Sequence, residues 1–388
     1  MADRADVVVV GAGPSGLVTA ASLARAGHSV ILVDRGGEPR PGPVFVDGPA
    51  LQLFDDLGWT AEIGAMPAST RHAELEVIGE HERHTLDEGW DMWVAPRRPL
   101  VDAVRRRVSR DGVTWIAGLS AVVPVWTDRR VTGVRTRDGR GGERQFDARL
   151  VMDASGPDAF LATALGLRLP RRGDPRPRVT ARLTGDDAPS RHTLALVNAS
   201  WLVGGRLGDE TAVSGVMRPR ADHQAMDDAG VLGALGGDVE DFAQVHRSVG
   251  AALLAHAGDG WVSVGEAAGC GAPGSPGVTS AGLRLAASAA WEADRALSRH
   301  RTPSSGMFGV TVTMSRRDAQ LGPMLDRALM RASRTGVLSW AFDTAWRRRR
   351  LRDVLRGEWS PDARFGRGWF LWRLDRISRR AARSAGYG

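Results

Sequence analysis

Three glycines and an aspartate near the start of the chain have the spacing of a turn that binds a dinucleotide. In VVVVGAGPSGLVTAASLARAGHSVILVD (residues 7–34) an apolar run reaches Gly11-x-Gly13-x-x-Gly16, a helical stretch follows, and a second apolar run ends on Asp34. Gly11 suits the tight turn, Gly13 a backbone that must approach a pyrophosphate, and Gly16 a helix packed close to its strand. Pro14 and Ser15 fall in the first turn of that helix, where free N–H groups and the positive dipole end favour a diphosphate. Asp34, 23 residues after Gly11, can accept ribose hydroxyls, with Arg35 beside it. Such chemistry requires strand, turn, helix and strand in immediate succession, so the spacing predicts a β–α–β unit over residues 1–35.

Composition bounds what surrounds this unit. A chain of 388 residues with 43% hydrophobic content has room for two or three globular domains. Val7–Ala24 is uncharged, but its Gly, Pro and Ser content argues against a membrane span. Asp3 and Asp6 are unlike a signal peptide, and a cytoplasmic location is expected. The single cysteine, Cys270, excludes an intrachain disulfide or a CxxC redox pair. All 52 basic residues are arginine, so lysine-based catalysis is excluded. Residues 347–388 carry 13 arginines against four acids, a local charge of +9 beside a total of +7. The segments WRRRRLR (346–352) and GWFLWRLDRISRR (368–380) read in two ways. They form a terminal helix that packs its aromatics on the body, or a basic helix that meets a membrane surface or an acidic partner. No nucleic-acid-reading module accompanies the charge, so nucleic acid is not an expected partner.

Between these ends, Gly36–Pro49 reads as loop and Ala50–Leu57 as helix. Residues 73–80 and 84–94 alternate like strands, and Pro99 opens an amphipathic helix over 100–108. Strand-like runs follow at 113–126 and 131–137, and Leu150–Met152 leads into Asp153-Ala154-Ser155-Gly156. Residues 178–218 alternate over three or four strands, whereas 239–257 look helical. Trp261–Val264 reads as a strand feeding a Gly/Pro-rich loop (265–277) and an Ala-rich helix (278–297), with further helix from about 305.

Three motifs, in this order and at these distances, resemble the flavin-dependent monooxygenase and halogenase superfamily with the para-hydroxybenzoate hydroxylase-type fold. They are GAGPSG with Asp34, RRPLVD (97–102) with VMDASG (151–156), and WVSVGEAAG (261–269) followed by APGSPGV (272–278). The resemblance implies an α/β fold in which a Rossmann-like FAD-binding domain (1–70, 95–165 and 258–300) is interrupted by a β-sheet substrate domain (71–94 and 166–257). A C-terminal helical, Arg-rich region (301–388) completes it. It also implies FAD as cofactor. Arg98, in preference to Arg97, would reach the pyrophosphate or adenine side, and Gly156 would close the turn near the adenosine. Gly265-Glu266 stands where the family has Gly-Asp, whose carboxylate holds the ribitol and phosphate. Glu266 is one methylene longer, so backbone or ribitol must shift. The loop from Pro273 to Gly277, one residue shorter than in the family, would deliver Gly277 and Val278 as a helix N-terminus at the N1/C2-carbonyl edge of the flavin. Trp90, Trp93 and Trp201 lie in the inserts that hold the family's substrate pocket, though the core of the sheet explains them equally well. Cys270 is either a buried filler or a residue with a covalent or redox role at the flavin. His81-x-x-His84 reads as a solvated strand end.

The branch of flavin chemistry follows from what is absent. The halogenases in this superfamily rely on a lysine, and this chain has none. Their W-x-W-x-I-P motif is also missing: Trp201 is followed by Leu-Val-Gly-Gly-Arg206, and Trp90, Trp93 and Pro96 have the wrong spacing. No second GxGxxG follows a strand, which disfavours a reductase with two dinucleotide domains. The expected activity is therefore monooxygenation, a hydroxylation or epoxidation of an apolar or aromatic small molecule in specialised metabolism. In such enzymes the protein chiefly positions the substrate and excludes water. Prenyl-reductase-like reduction of an alkene, and a non-redox FAD-binding or cyclase-like role, are the alternatives. The substrate is either free or carrier-bound, and the electrons come from NAD(P)H or a partner flavin reductase.

Overall fold

Val7–Val10 are buried from both sides, which is why the run is continuously apolar rather than alternating. The structure, a computed structural model, describes residues 3–37, 42–61, 66, 68–87, 89–169, 176–184, 191–197, 200–216, 235, 238–248, 253–269, 278–299, 301–356 and 366–384. The run ends strand β1 (Asp3–Val10), and the chain continues through helix α1 (Pro14–Arg25) to β2 (Val30–Asp34). β1 is central in a parallel array with β2 and β8 (Thr114–Ala117) on one side. On its other side lie β11 (Glu143–Asp153) and β18 (Trp261–Ser263), the latter followed outward by the short antiparallel β17 (Ala257–Gly258). The sheet therefore grows in opposite directions from β1. In open α/β sheets that reversal opens a crevice at the carboxyl ends of the strands.

Helices cover one face of this sheet. Val7, Val9, Leu32, Leu150 and Met152 pack with α1, with α3 (Arg97–Arg110) and with α5 (Val278–Ser298). The opposite face, with Val8, Val10, Ile31 and Val33, is covered by the antiparallel strands β9 (Leu119–Thr127) and β10 (Arg130–Asp138), and by α4 (Phe160–Ala164).

Two further sheets adjoin. A three-stranded sheet orders β3 (Pro43–Asp47), β7 (Met92–Pro96) and β4 (Thr70–His72). PVFVD thus forms a strand inside the segment read as loop, because Val44, Phe45 and Val46 are all buried and β7 supplies the ladder. Asp47 ends it, caps α2 (Gly48–Asp56) by accepting from the Ala50 amide at 2.9 Å, and accepts with its two carboxylate oxygens from Arg284 Nη1 on α5 at 3.0 and 2.8 Å.

The seven-stranded sheet runs β16 (Asp238–Ser248), β12 (Arg176–Thr184), β15 (Glu210–Val216), β14 (Ser200–Leu207), β13 (His192–Val197), β5 (Leu75–Ile78) and β6 (Arg83–Leu86). One face packs on α6 (Gly309–Arg334), α7 (Ser339–Phe342), α8 (Ala345–Leu355) and α9 (Gly366–Ser384) through Trp201, Leu329, Val354 and Phe370. No helix among the described residues is long and apolar enough to cross a membrane.

Over 239–248 the strand β16 stands where a helix is expected, residues 249–252 lying outside the described residues, and its register gives the reason. Arg178 pairs with His246 but Val179 with Gln244, and Arg182 pairs with Asp241 but Leu183 with Val239. Val245 and Glu240 are therefore extra residues in two bulges. The bulge at Glu240 stretches a two-residue period to three between Val239 and Phe242, and Val245 is itself the extra residue of the other, so the three apolar residues read with a helix-like spacing on an edge strand.

Candidate nucleotide site

The crevice predicted by the strand reversal is present, and its walls come from chain ends that local geometry brings together. It holds about 1070 Å³ of space, the solvent at its mouth included. The turn after β1 contributes Gly11, Gly13, Pro14 and Ser15, and the end of β2 contributes Asp34 and Arg35. Ser155 and Gly156 follow β11, Glu266 follows β18, and Thr279 and Gly282 belong to α5. Arg97 and Arg105 of α3 complete the lining.

The glycines divide by what a side chain would meet. Gly11 has φ +103°, and a Cβ there would lie 2.5 Å from the Ala154 carbonyl oxygen. At Gly16 a Cβ would fall 1.9 Å from the Gly11 carbonyl oxygen, so the helix can sit on the turn only without one. At Gly13, which has ordinary extended φ and ψ, a Cβ would meet nothing within 4 Å. The fold makes no use of that missing side chain. What it leaves is open space directly before a helix N-terminus with no side-chain cap, whose first amides have no intrahelical acceptor. A cradle that a side chain would fill, with free amides behind it, fits a pyrophosphate.

Asp34 is 14% exposed at its side chain and holds the turn loosely. One oxygen accepts from the Ala12 amide at 3.3 Å, and the other from the Gly36 amide at 3.3 Å and Arg105 at 3.4 Å. All three are long for hydrogen bonds, so the carboxylate keeps acceptor capacity towards the cleft. Arg35 is paired with Asp158 at 3.0 Å on the surface. Arg105 also lies over the Trp115 ring at 5.0 Å. Three arginines against Asp34 and Glu266 give the lining a net positive charge, the sign a diphosphate requires.

Behind the wall, Asp153 at the end of β11 is fully buried and shapes the Asp153–Gly156 turn. Its oxygens accept from the Ser155 amide at 3.0 Å and the Leu161 amide at 2.8 Å. Burial raises its pKa, and these hydrogen bonds work against that rise. Gly156, φ +73°, brings the turn near Glu266: a Cβ there would be 3.8 Å from a Glu266 carboxylate oxygen.

Gly11, Gly13, Pro14, Ser15, Asp34, Arg35, Gly156 and Glu266 thus border one cleft, and Gly16 and Gly265 stand behind it. Arg98 does not. It is exposed, and Arg97 takes the place on the lining that the sequence reading assigned to its neighbour. Adjacent helical residues point about 100° apart, so only one of the pair can face the cleft. Arg97, Val101 and Arg105 line it together, and their four-residue spacing on an amphipathic helix was the available signal for Arg105. Pro273, Gly277 and Cys270 lie outside the described residues, and α5 begins at Val278.

Of the two readings of Trp90, Trp93 and Trp201, the structure has them as core side chains, and they do not border this cleft. Trp201 shares its face of β14 with Val203, against the C-terminal helices, and Trp90 joins the same cluster. Trp93 packs in the helix-covered core of the first sheet. Trp90 donates its indole N–H to His192 Nδ1 at 3.1 Å, and Phe45 stacks on the same imidazole at 5.2 Å. His84 is not a solvated strand end: it stacks on Phe342 at 4.4 Å and contacts Glu82 at 2.8 Å.

Comparison with known proteins agrees with this geometry. Residues 4–198 match the family described as FAD binding domain. A menaquinone reductase of Mycobacterium tuberculosis is 32% identical over 183 residues, 43% of this chain and 41% of the relative. A 3-(3-hydroxy-phenyl)propionate/3-hydroxycinnamic acid hydroxylase of Burkholderia cenocepacia is 27% identical over 179 residues, 43% of this chain and 32% of the relative. The matched region therefore spans well under half the length of these relatives. Among solved structures, the flavin-dependent brominase Bmp2 superimposes with TM-score 0.79 at 17% identity, over 97% of this chain and all of that one. The strand reversal at β1, the cradle before α1 and the match over residues 4–198 agree: the chain belongs to the FAD binding domain family, with the para-hydroxybenzoate hydroxylase-type fold.

Proposed function

We propose that this chain is an FAD-dependent oxidoreductase and that it monooxygenates an apolar or aromatic small molecule. The observation that carries the reading is the cleft itself: open space at Gly13 before an uncapped helix, Asp34 with spare acceptor capacity, and Arg97 and Arg105 above it. The α1 amides and the arginines would hold the diphosphate, Asp34 the ribose, and Glu266 the ribitol side. Bound FAD would supply the two-electron and oxygen chemistry. The chain's own part would be to orient the cofactor, position the substrate and exclude water. Electrons would come from NAD(P)H or a partner reductase, and the substrate would be met free or carrier-bound in the cytoplasm. Reduction of an alkene is the second reading; the 32% identity to a menaquinone reductase favours a reductase, without naming the bond reduced.

The test is a visible spectrum of the purified protein under nitrogen, before and after NADPH, followed by air. A flavin spectrum, bleached by NADPH or by dithionite and restored by air, supports the oxidoreductase. Bleaching by dithionite alone assigns the electrons to a partner reductase. Oxygen uptake that depends on an added aromatic supports monooxygenation, and anaerobic turnover of an alkene supports reduction. A colourless protein that ignores added FAD overturns both and leaves the non-redox role.

A further inference from the structure

The C-terminal helices keep three indoles out of the core. On α9 the residues Phe370, Leu371, Leu374 and Ser378 are buried against the second sheet's core. The opposite face carries Trp369, Trp372, Arg376, Arg379 and Arg383 at alternating three- and four-residue spacings, all exposed. Trp369 and Trp372 are 48% and 47% exposed, and Trp346 on α8 is 43% exposed. Trp346 meets Trp369 edge-on at 5.8 Å, which joins the outer faces of the two helices into one surface.

Arginines are interleaved with these rings. The Arg376 guanidinium lies 5.1 Å over Trp372 and that of Arg350 5.4 Å over Trp346. Asp375 is the single acid of α9, and it is taken by Arg331 and Arg379. Among the described residues, no carboxylate lies within ion-pair distance of Arg349, Arg376, Arg380 or Arg383. Exposed indoles set among unneutralised arginines match a medium that takes an apolar ring and a cation at the same depth, which is the headgroup boundary of an anionic bilayer.

We propose that the outer face of α8 and α9 docks on an anionic phospholipid surface, with Trp346, Trp369 and Trp372 in the headgroup boundary and Arg376, Arg380 and Arg383 at lipid phosphates. With no spanning helix among the described residues, the protein lies on the surface and does not cross it. The proposal requires nothing of the flavin reading, and the two fail separately.

The test sediments the full chain with vesicles of phosphatidylcholine alone, or with roughly one-third phosphatidylglycerol. Binding to the anionic vesicles only, weakened by salt, is expected. Each arginine near such a surface strengthens binding roughly five-fold, so the triple variant Arg376→Gln/Arg380→Gln/Arg383→Gln should bind ~100-fold more weakly. The triple variant Trp346→Ser/Trp369→Ser/Trp372→Ser should lose binding to a similar extent. The arginines are exposed and the tryptophans about half exposed, so unchanged circular dichroism is expected for both, with an unchanged thermal midpoint for the arginine variant and a modest drop for the tryptophan variant. Failure to sediment with anionic vesicles overturns the proposal, and so does binding that both variants retain. Self-association abolished by the tryptophan variant, without vesicle binding, would assign the face to a second copy. Saturable binding to an acidic carrier protein, without vesicle binding, would assign it to that protein.

Discussion

Gly13→Val separates what the first turn does for the fold from what it does for a ligand. In this structure a Cβ at Gly13 meets nothing within 4 Å, and φ −74° with ψ 174° suits any L-residue. The cost to the fold is then the loss of a tolerable N-cap residue, about 1 kcal/mol. Bound FAD would suffer far more, because the pyrophosphate needs that space to reach the α1 amides. A charge-assisted hydrogen bond is worth about 1.5–3 kcal/mol, so displacing two amides raises Kd by roughly 100- to 10 000-fold. Gly16→Ala is the control with the opposite signature. Its Cβ would stand 1.9 Å from the Gly11 carbonyl oxygen, and relieving such overpacking costs ~1–3 kcal/mol or more of stability. The assays are FAD titration by quenching of flavin fluorescence, and the thermal midpoint of the flavin-free protein. If Gly13→Val binds FAD within three-fold of the parent, or destabilises the flavin-free fold as much as Gly16→Ala, the assignment of the cradle is wrong.

Glu266→Ala, on the lining near Gly156, should weaken FAD retention through purification; unchanged occupancy and affinity would remove Glu266 from the cofactor site. Burial holds His192 well below the ordinary imidazole range, with His72 adding to the depression, and burial lowers His72 and His256 as well. The unfolded histidines take up protons as pH falls past about 6.5 while the buried ones do not, so stability should drop as pH falls below that value. For His192 the slope is about 1.4 kcal/mol per pH unit, and it ends at its folded-state pKa. Asp153, raised by burial, acts in the opposite sense, so the clean measurement is the difference from His192→Asn. Urea midpoints at pH 6.5 and 5.5 should converge between the two proteins, and parallel curves would refute the assignment. Phe370→Ala should cost about 3–5 kcal/mol and Trp369→Ala under about 1 kcal/mol, since the first ring is fully buried and the second half exposed. Equal losses in urea unfolding would contradict the packing of α9.

Much of the nucleotide site was legible because its chemistry is local. Gly11, Gly13, Gly16 and Asp34 lie within one β–α–β unit, whose geometry a short stretch of chain fixes by itself. The α5 start at Val278 and the strand content over 131–137 and 178–216 were readable for the same reason: turn residues and periodicity act between near neighbours.

Non-local pairing decided the rest. The helix-like spacing of Val239, Phe242 and Val245 became a bulged strand only because β12 lies alongside. PVFVD needed β7 to become a strand despite its flanking Gly and Pro. Which of Arg97 and Arg98 faces the cleft depends on the rotation of α3 against the sheet, a choice made by Leu100, Val101 and Val104 packing into the core. The tail shows the division most clearly. The sequence determined that it is basic, aromatic and helical, since charge and periodicity are properties of the chain. That Phe370 and Leu371 fill the core while Trp346, Trp369 and Trp372 face outward follows from tertiary packing, because burial is settled by which face of each helix the sheet covers.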